Sequence, residues 1–137
     1  MVLVDSSVWI EAARRDGSLA VKCGLEGLLE EFKAALCGVV WLEVLGGARV
    51  AERARMQSYL LVLPRLETEE QTWNRAAVAA AQLRDCGLTV PWSDVLVATV
   101  ALTHRVRVYA HDRHFNLMAP LLGLQLYAPG YGGQYMR

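Results

Sequence analysis

Short apolar runs alternate along this chain with longer segments in which apolar residues recur every three or four positions. The run at residues 2–4 is rich in β-branched side chains, which is typical of a strand buried on both faces. Similar runs predict strands at residues 35–38, 61–63, 107–110 and 124–127. Helical periodicity predicts helices at residues 8–15, 19–32, 40–45, 49–61, 68–85, 95–104 and 115–122. This alternation predicts an α/β fold with a mostly parallel sheet, in which residues 2–4 form the central strand.

Local signals predict where some of these helices begin and end. Ser6 or Ser7 is a suitable N-cap for the first helix, because a hydroxyl oxygen can accept a hydrogen bond from the first turn. Thr68 is followed by Gln71, and this spacing predicts a capping box at the start of the long fifth helix. Gly87 is expected to end that helix.

The size and composition of the chain predict one globular domain. Its 137 residues are 54% apolar and 20% charged, so we expect a single domain over residues 1–137, with the Gly- and Tyr-rich segment 128–137 as a loosely held tail. No apolar run approaches the ~20 residues of a membrane span, and no signal-peptide pattern opens the chain. We therefore expect a cytoplasmic protein. Three widely spaced cysteines favour neither a disulfide framework nor a zinc site.

Four acidic residues stand at the downstream edge of a predicted strand or at the start of a helical segment: Asp5, Glu43, Asp94 and Asp112. Parallel strands gather their carboxyl ends along one edge of a sheet, so these side chains can meet there. Each acid alone has an ordinary explanation as a helix cap or a surface turn residue. Glu43 is the most informative, because it lies inside the apolar segment 39–45.

A group of carboxylates at one place predicts a site for Mg²⁺ or Mn²⁺, which prefer oxygen ligands. Two such ions can activate water and stabilise the leaving oxygen of an in-line displacement, so the expected substrate is a phosphodiester. The chain carries 14 basic and 14 acidic side chains. If the metal neutralises four acids, 14 basic side chains face 10 acidic ones, and an attraction for phosphate becomes plausible.

Four segments of the chain resemble the PIN-domain ribonucleases, and among them the VapC-type toxins of toxin–antitoxin pairs: residues 2–10, 40–47, 93–101 and 108–115. The resemblance implies a three-layer α/β/α sandwich around four to five short strands. It also implies an Mg²⁺-dependent endoribonuclease in which the four acids are both the catalytic residues and the metal ligands, with Mn²⁺ able to substitute. The implied partners are an RNA substrate, a cognate antitoxin whose tail fills the pocket, and a second copy of the chain that packs through an apolar helical surface.

The same resemblance indicates which residues would support the acids. Ser7 would hydrogen bond to the first acid, and Ser93 offers a further hydroxyl. Arg113 and His114 are candidates for contacts with the RNA phosphate because of their positions beside Asp112. The chain departs from the family pattern twice. Ala110 stands where many members have Thr, and His114 stands where many have another acid, so the number of anionic ligands falls by one.

Other interpretations of the acids are weaker. A haloacid-dehalogenase-like phosphohydrolase requires a second Asp two residues after Asp5, where this chain has Ser7, and no Gly-rich nucleotide-binding motif follows any predicted strand. A catalytically inactive PIN-like module that binds RNA or a partner stays open because of Ala110 and His114. The spacing of His111 and His114 is not expected to form a transition-metal site, since no helix is predicted to place both on one face.

Three tryptophans lie within four residues of a proposed ligand. Trp9 and Trp41 are expected to pack in the core. Trp92 follows a proline and is expected to be exposed, where it could stack on an RNA base or anchor the antitoxin.

Overall fold

A four-stranded parallel sheet forms the centre of the protein. The structure is a computed structural model that describes residues 1–137. The strands are β1 (Val2–Val4), β2 (Ala34–Cys37), β3 (Arg65–Leu66) and β4 (Arg107–Tyr109), in the order β3-β2-β1-β4, and all pairs are parallel. β1 has a neighbour on each side and its residues are fully buried, so the predicted central strand is confirmed.

Seven α-helices flank the sheet. They are α1 (Ser6–Ala13), α2 (Leu19–Glu30), α3 (Gly38–Gly47), α4 (Val50–Leu61), α5 (Glu70–Asp85), α6 (Trp92–His104) and α7 (Arg113–Leu122), followed by a short 3₁₀ turn at Tyr131–Gly133. The predicted α/β/α class is confirmed, with four strands. α6 is buried at every position from Asp94 to Ala101, which explains its apolar sequence without amphipathic periodicity. None of the helices combines the length and apolar character that crossing a membrane requires.

Two predicted strands differ in the structure. The run at residues 61–63 is not a strand: α4 continues to Leu61, and β3 begins only after Pro64. Leu61 and Val62 are 64% and 80% exposed, so their apolar character does not mark a buried strand. The predicted last strand, 124–127, is reduced to a single parallel bridge between Leu126 and Val108.

Two helix caps also differ from the prediction. α1 is capped by Asp5, whose carboxylate accepts a hydrogen bond from the Ser7 backbone N–H, and Ser6 and Ser7 are already helical. α5 begins at Glu70, so Thr68 lies too far upstream to cap it, and the N–H of Thr72 bonds to the Glu69 carbonyl instead. Asp5 therefore lies at the N-terminus of α1, directly after the central strand.

The segment 128–137 packs against α2 and the aromatic side chains beside it. Gly133 is buried, and a Cβ there would collide with the backbone of Cys23, so only glycine permits this close approach. Tyr135 stacks on Tyr127 with ring centroids 6.0 Å apart. The segment 128–137 therefore contacts both α2 and the aromatic side chains beside the sheet.

Candidate metal centre

The carboxyl ends of β1, β2 and β4 open toward one group of acidic side chains, which we call the carboxylate cup: Asp5, Glu43, Asp94 and Asp112. Asp5 follows β1 directly, and Asp112 follows β4 after a short turn. Glu43 lies on α3, which begins where β2 ends, and Asp94 lies in the first turn of α6. The charge of Asp5 raises the pKa of both Glu43 and Asp94, and the charge of Asp112 raises that of Asp5 and Asp94. The fold therefore brings the four acids into one electrostatically coupled site.

Asp5 is the most buried of these acids, with 2% of its surface exposed. Its Oδ2 accepts hydrogen bonds from the Ser7 hydroxyl at 2.6 Å and from the Ser7 backbone N–H at 3.1 Å. Its Oδ1 is buried and has no hydrogen-bond partner. Burial is the main cause that raises the pKa of Asp5, and it outweighs the opposing hydrogen bonds. One oxygen of Asp5 thus lacks a partner in the protein.

Ser7 also connects the two strands that carry the first and the last acid. Its hydroxyl oxygen accepts a hydrogen bond of 2.9 Å from the backbone N–H of His111, which lies in the turn after β4. The same hydroxyl donates to Asp5. Ser7 therefore fixes the position of the Asp112 turn relative to Asp5.

Glu43 is partly buried and points its carboxylate toward α1. The Ser6 hydroxyl donates to Glu43 Oε1 at 3.2 Å. Burial and the charge of Asp5 raise the pKa of Glu43, while hydrogen bonds from Ser6 and Ser93 act in the opposite direction. The Ser6 hydroxyl of α1 thus holds this carboxylate in the cup.

The pKa of Asp94 is strongly raised in the cup. Burial first, and then the charges of Asp5 and Asp112, raise the pKa of Asp94 to about 6, against the effect of His114. His114 Nδ1 lies 3.0 Å from Asp94 Oδ2 and 2.9 Å from Asp112 Oδ1. Potential ligand atoms of Asp94, Asp112 and His114 all lie within 4.8 Å of one another.

Asp112 and Arg113 differ in their relation to the cup. Asp112 caps α7, because its Oδ1 accepts a hydrogen bond from the His114 backbone N–H at 2.9 Å. Arg113 is exposed and makes no ion pair with the acids. The sequence indicated both residues, but it gave no sign that His114 would bridge Asp94 and Asp112 from the first turn of α7.

The donor set of the cup fits a divalent cation. A buried carboxylate oxygen without a partner is unfavourable, and a cation would supply the missing interaction for Asp5 Oδ1. The four acids offer the oxygen atoms that Mg²⁺ and Mn²⁺ prefer, and His114 adds one nitrogen. Asp94, Asp112 and His114 stand closest together, and Asp5 and Glu43 complete the cup.

An apolar cleft of about 630 Å³ adjoins the cup. It is lined by α5, by Val39 of α3 and by the start of α6, and it includes Ser93, the residue before Asp94. Trp92 and Trp73 stand at this cleft and are 80% and 58% exposed. The predicted exposure of Trp92 is confirmed. Trp9 is buried as predicted, whereas Trp41 is only partly buried and packs beneath the guanidinium of Arg65.

The fold and the cup define the class of protein. A family model described as "PIN domain" matches residues 2–120, and the chain belongs to this family. It is 32% identical to the VapC ribonuclease Mb1587 of Mycobacterium bovis over 130 residues, which cover 91% of this chain and 96% of the relative.

Solved structures share the fold. A VapBC2 structure from Rickettsia felis, bound to a DNA fragment from its promoter, aligns with a TM-score of 0.75 at 16% identity and covers 93% of this chain and 98% of that one. A toxin–antitoxin complex from Klebsiella pneumoniae aligns with a TM-score of 0.64 at 19% identity, over 84% and 90% of the two chains.

Proposed function

We propose that this protein is a metal-dependent endoribonuclease toxin that hydrolyses RNA phosphodiester bonds and is inhibited by a cognate antitoxin. The observation that carries the proposal is the carboxylate cup, in which a buried Asp5 oxygen has no partner and four coupled acids face one another. Membership of the PIN domain family and the similarity to a VapC ribonuclease support the choice of RNA as the substrate.

In this proposal Asp5, Glu43, Asp94 and Asp112 are the catalytic residues and hold the metal, with Mg²⁺ as the expected ion and Mn²⁺ as a substitute. The bound ion supplies a Lewis acid that activates water and stabilises charge on the phosphate. Ser7 and Ser93 orient Asp5 and Glu43 through their hydroxyl groups. Arg113, exposed at the start of α7, is available to contact an RNA phosphate next to the cup.

The proposed antitoxin inhibits by placing a cationic segment against the cup. Four acids in one site, with only His114 among them as a basic side chain, attract a Lys or Arg from a partner as readily as a metal ion. The Klebsiella pneumoniae complex, which has the same fold, supports a partner of this class. Such a toxin acts on cellular RNA, so the proposed location is the cytoplasm.

The apolar cleft beside the cup supports a homodimer. Monomeric proteins rarely expose a contiguous apolar surface that carries two tryptophans, and exposed tryptophans often anchor protein interfaces. A second copy would bury Trp73 and Trp92 and would place two cups near each other.

Light scattering should give twice the mass of the 15.2 kDa chain. Ala77→Glu in the cleft should give the monomer, whereas Gln71→Glu, elsewhere on α5, should not; a wild-type monomer at micromolar concentration contradicts the dimer.

A cleavage assay tests the function. Purified protein is incubated with a mixture of structured and unstructured RNAs in Mg²⁺, in Mn²⁺ and in EDTA, and the products are mapped. We expect cleavage with either ion, none in EDTA, and loss of cleavage in Glu43→Gln. Glu52→Gln is the matched control, because Glu52 lies on α4 and pairs only with the surface residue Arg49. Intact RNA under all conditions, or equal cleavage by Glu43→Gln, contradicts the proposal.

A further inference from the structure

His114 occupies a position where its imidazole reaches into the carboxylate cup. It is the second residue of α7, and its backbone N–H is already bonded to Asp112 Oδ1. Its side chain is 27% exposed, and Nδ1 lies 3.0 Å from Asp94 Oδ2 and 2.9 Å from Asp112 Oδ1. A single nitrogen thus faces two carboxylate oxygens from different parts of the chain.

One hydrogen atom on Nδ1 cannot form two linear hydrogen bonds, so at least one of these contacts is poorly satisfied by a proton alone. A metal ion satisfies both contacts, because it can bind all three atoms together. Neighbouring ligand atoms at right angles around an ion with bonds of about 2.1 Å are about 3.0 Å apart. The separations around His114 Nδ1 match this value.

A second observation points to cation binding at the same site. Only 2% of the surface of Asp5 is exposed, and its Oδ1 has no hydrogen-bond partner within the protein. After burial, the charge of Asp5 is the next cause that raises the pKa of Asp94, so the Asp5 carboxylate lies near the group formed by Asp94, Asp112 and His114. The cup therefore has one unsatisfied oxygen on its buried side and a crowded nitrogen on its open side.

From this geometry we propose that His114 is itself a metal ligand through Nδ1, so that the cup has a mixed oxygen and nitrogen donor set and favours Mn²⁺ over Mg²⁺. The proposal rests on the metal site of the proposed function and specifies its selectivity. Imidazole binds transition-metal ions well and Mg²⁺ poorly, whereas carboxylates serve both. His114 stands where many family members have an acid. The site therefore has less of the anionic charge that Mg²⁺ needs, and it gains a nitrogen donor that Mn²⁺ accepts.

His111 does not take part, although it lies only three residues away. Its side chain is 47% exposed and faces Glu11, with 3.9 Å between Nε2 and the Glu11 carboxylate. The site is thus built by Asp94, Asp112 and His114 and not by the two histidines of the H-x-x-H spacing. His111→Ala is a matched control, because it removes the neighbouring imidazole and leaves the cup unchanged.

The experiment is pulsed electron paramagnetic resonance of Mn²⁺ bound to the protein, together with calorimetric titrations of Mn²⁺ and Mg²⁺. We expect nitrogen modulation of the Mn²⁺ signal in the wild type and in His111→Ala, and none in His114→Ala or His114→Asp. His114→Ala should weaken Mn²⁺ binding by about tenfold or more, at least as much as the loss of an outer-shell partner. His114→Asp should lower the ratio of Mn²⁺ to Mg²⁺ affinity by a similar factor.

The proposal is overturned if wild-type Mn²⁺ shows no nitrogen modulation, if the modulation persists in His114→Ala, or if no divalent ion binds. An unchanged affinity ratio in both His114 variants also overturns it, and indicates that His114 only donates a hydrogen bond. Circular dichroism melts of all variants verify that each is folded. RNA cleavage in Mg²⁺ is measured on the same samples. Cleavage without nitrogen modulation rejects His114 as a ligand but agrees with the proposed nuclease function. Nitrogen modulation without cleavage supports His114 as a ligand but contradicts the nuclease function.

Discussion

The two ends of the parallel sheet carry opposite charges and satisfy them in different ways. At the amino ends of the strands lie the Met1 amino group, Lys33 and Arg107. Burial first, and then repulsion from Lys33 and Arg107, lower the pKa of that amino group. Arg107 donates to the Met136 carbonyl at 2.9 Å and lies 5.0 Å from the ring centroid of Tyr127, and Lys33 lies 5.8 Å from that of Tyr135. At the carboxyl ends, His114 is the one basic side chain that contacts the four acids, and it reaches only Asp94 and Asp112.

This difference shows at which end of the sheet the charged groups have partners within the chain. Lys33 and Arg107 are covered by the rings of Tyr127 and Tyr135 and by the Met136 carbonyl, so the chain itself satisfies these two cations. The acids at the carboxyl ends raise one another's pKa, and one buried oxygen has no partner. A site that is costly to fold without a ligand is a site arranged to bind one. This contrast supports the proposal that the carboxylate cup is the functional end of the molecule.

The largest effect is expected from Asp94→Asn in the cup. The loss of one metal ligand should remove several kcal/mol of transition-state stabilisation, which lowers the rate of RNA cleavage by about a thousandfold. The metal-free melting temperature should stay equal or rise, because the substitution removes a buried, repelled charge. Initial cleavage rates and thermal melts provide the two readouts. Asp85→Asn, at the exposed end of α5, is the control and should change neither. Full activity in Asp94→Asn removes this residue from the site.

At the amino ends of the strands, we expect a substitution to lower stability and leave RNA cleavage unchanged. Arg107→Gln should lower the free energy of unfolding by about 1–2 kcal/mol, because it removes a charged hydrogen bond and the contact with Tyr127. Cleavage under stable conditions should be unchanged. Urea unfolding measures the loss, with Arg55→Gln on the exposed side of α4 as the control. If Arg107→Gln instead lost activity at full stability, the division of roles between the two ends would be wrong.

The smallest effect concerns pH. Asp94 has a pKa of about 6 in the folded protein, above its ordinary value of 3.8, so the folded state binds more protons than the unfolded state between these values. The stability of the metal-free protein should therefore fall as pH rises from about 4 to about 6. Asp5 and Glu43 act in the same direction. Denaturant midpoints at a series of pH values in EDTA measure this slope, which should be shallower in Asp94→Asn. A stability that rises with pH across this window would contradict the coupling within the cup.

Much of the fold was predictable because apolar runs and helical periodicity report burial directly. β1, β2 and α6 illustrate this, since each is apolar in sequence and buried in the structure. The run at residues 61–63 misled the prediction because its side chains stay exposed at the end of α4. The cap of α1 was misassigned because an Asp at a strand end can cap a helix and serve in a site at the same time.

The candidate site was predictable only in part. The four acids could be found because a parallel sheet determines where its strand ends meet. The hydrogen bond from Ser6 to Glu43 and the bridge made by His114 could not, because the first depends on how α1 packs against α3 and the second on how α7 packs against α6. The same is true of the unpartnered oxygen of Asp5, which only coordinates reveal.

The most direct test of the central claim is a comparison of cation binding in the wild type and in Asp5→Asn by urea unfolding. At a Mg²⁺ or Mn²⁺ concentration of about a hundred times Kd, a cation that binds only the folded state adds about 2.7 kcal/mol to the free energy of unfolding. We predict this gain in the wild type and little or none in Asp5→Asn, while Asp85→Asn behaves as the wild type does. No gain in the wild type, or the same gain in Asp5→Asn, would contradict a cation site built around this buried acid.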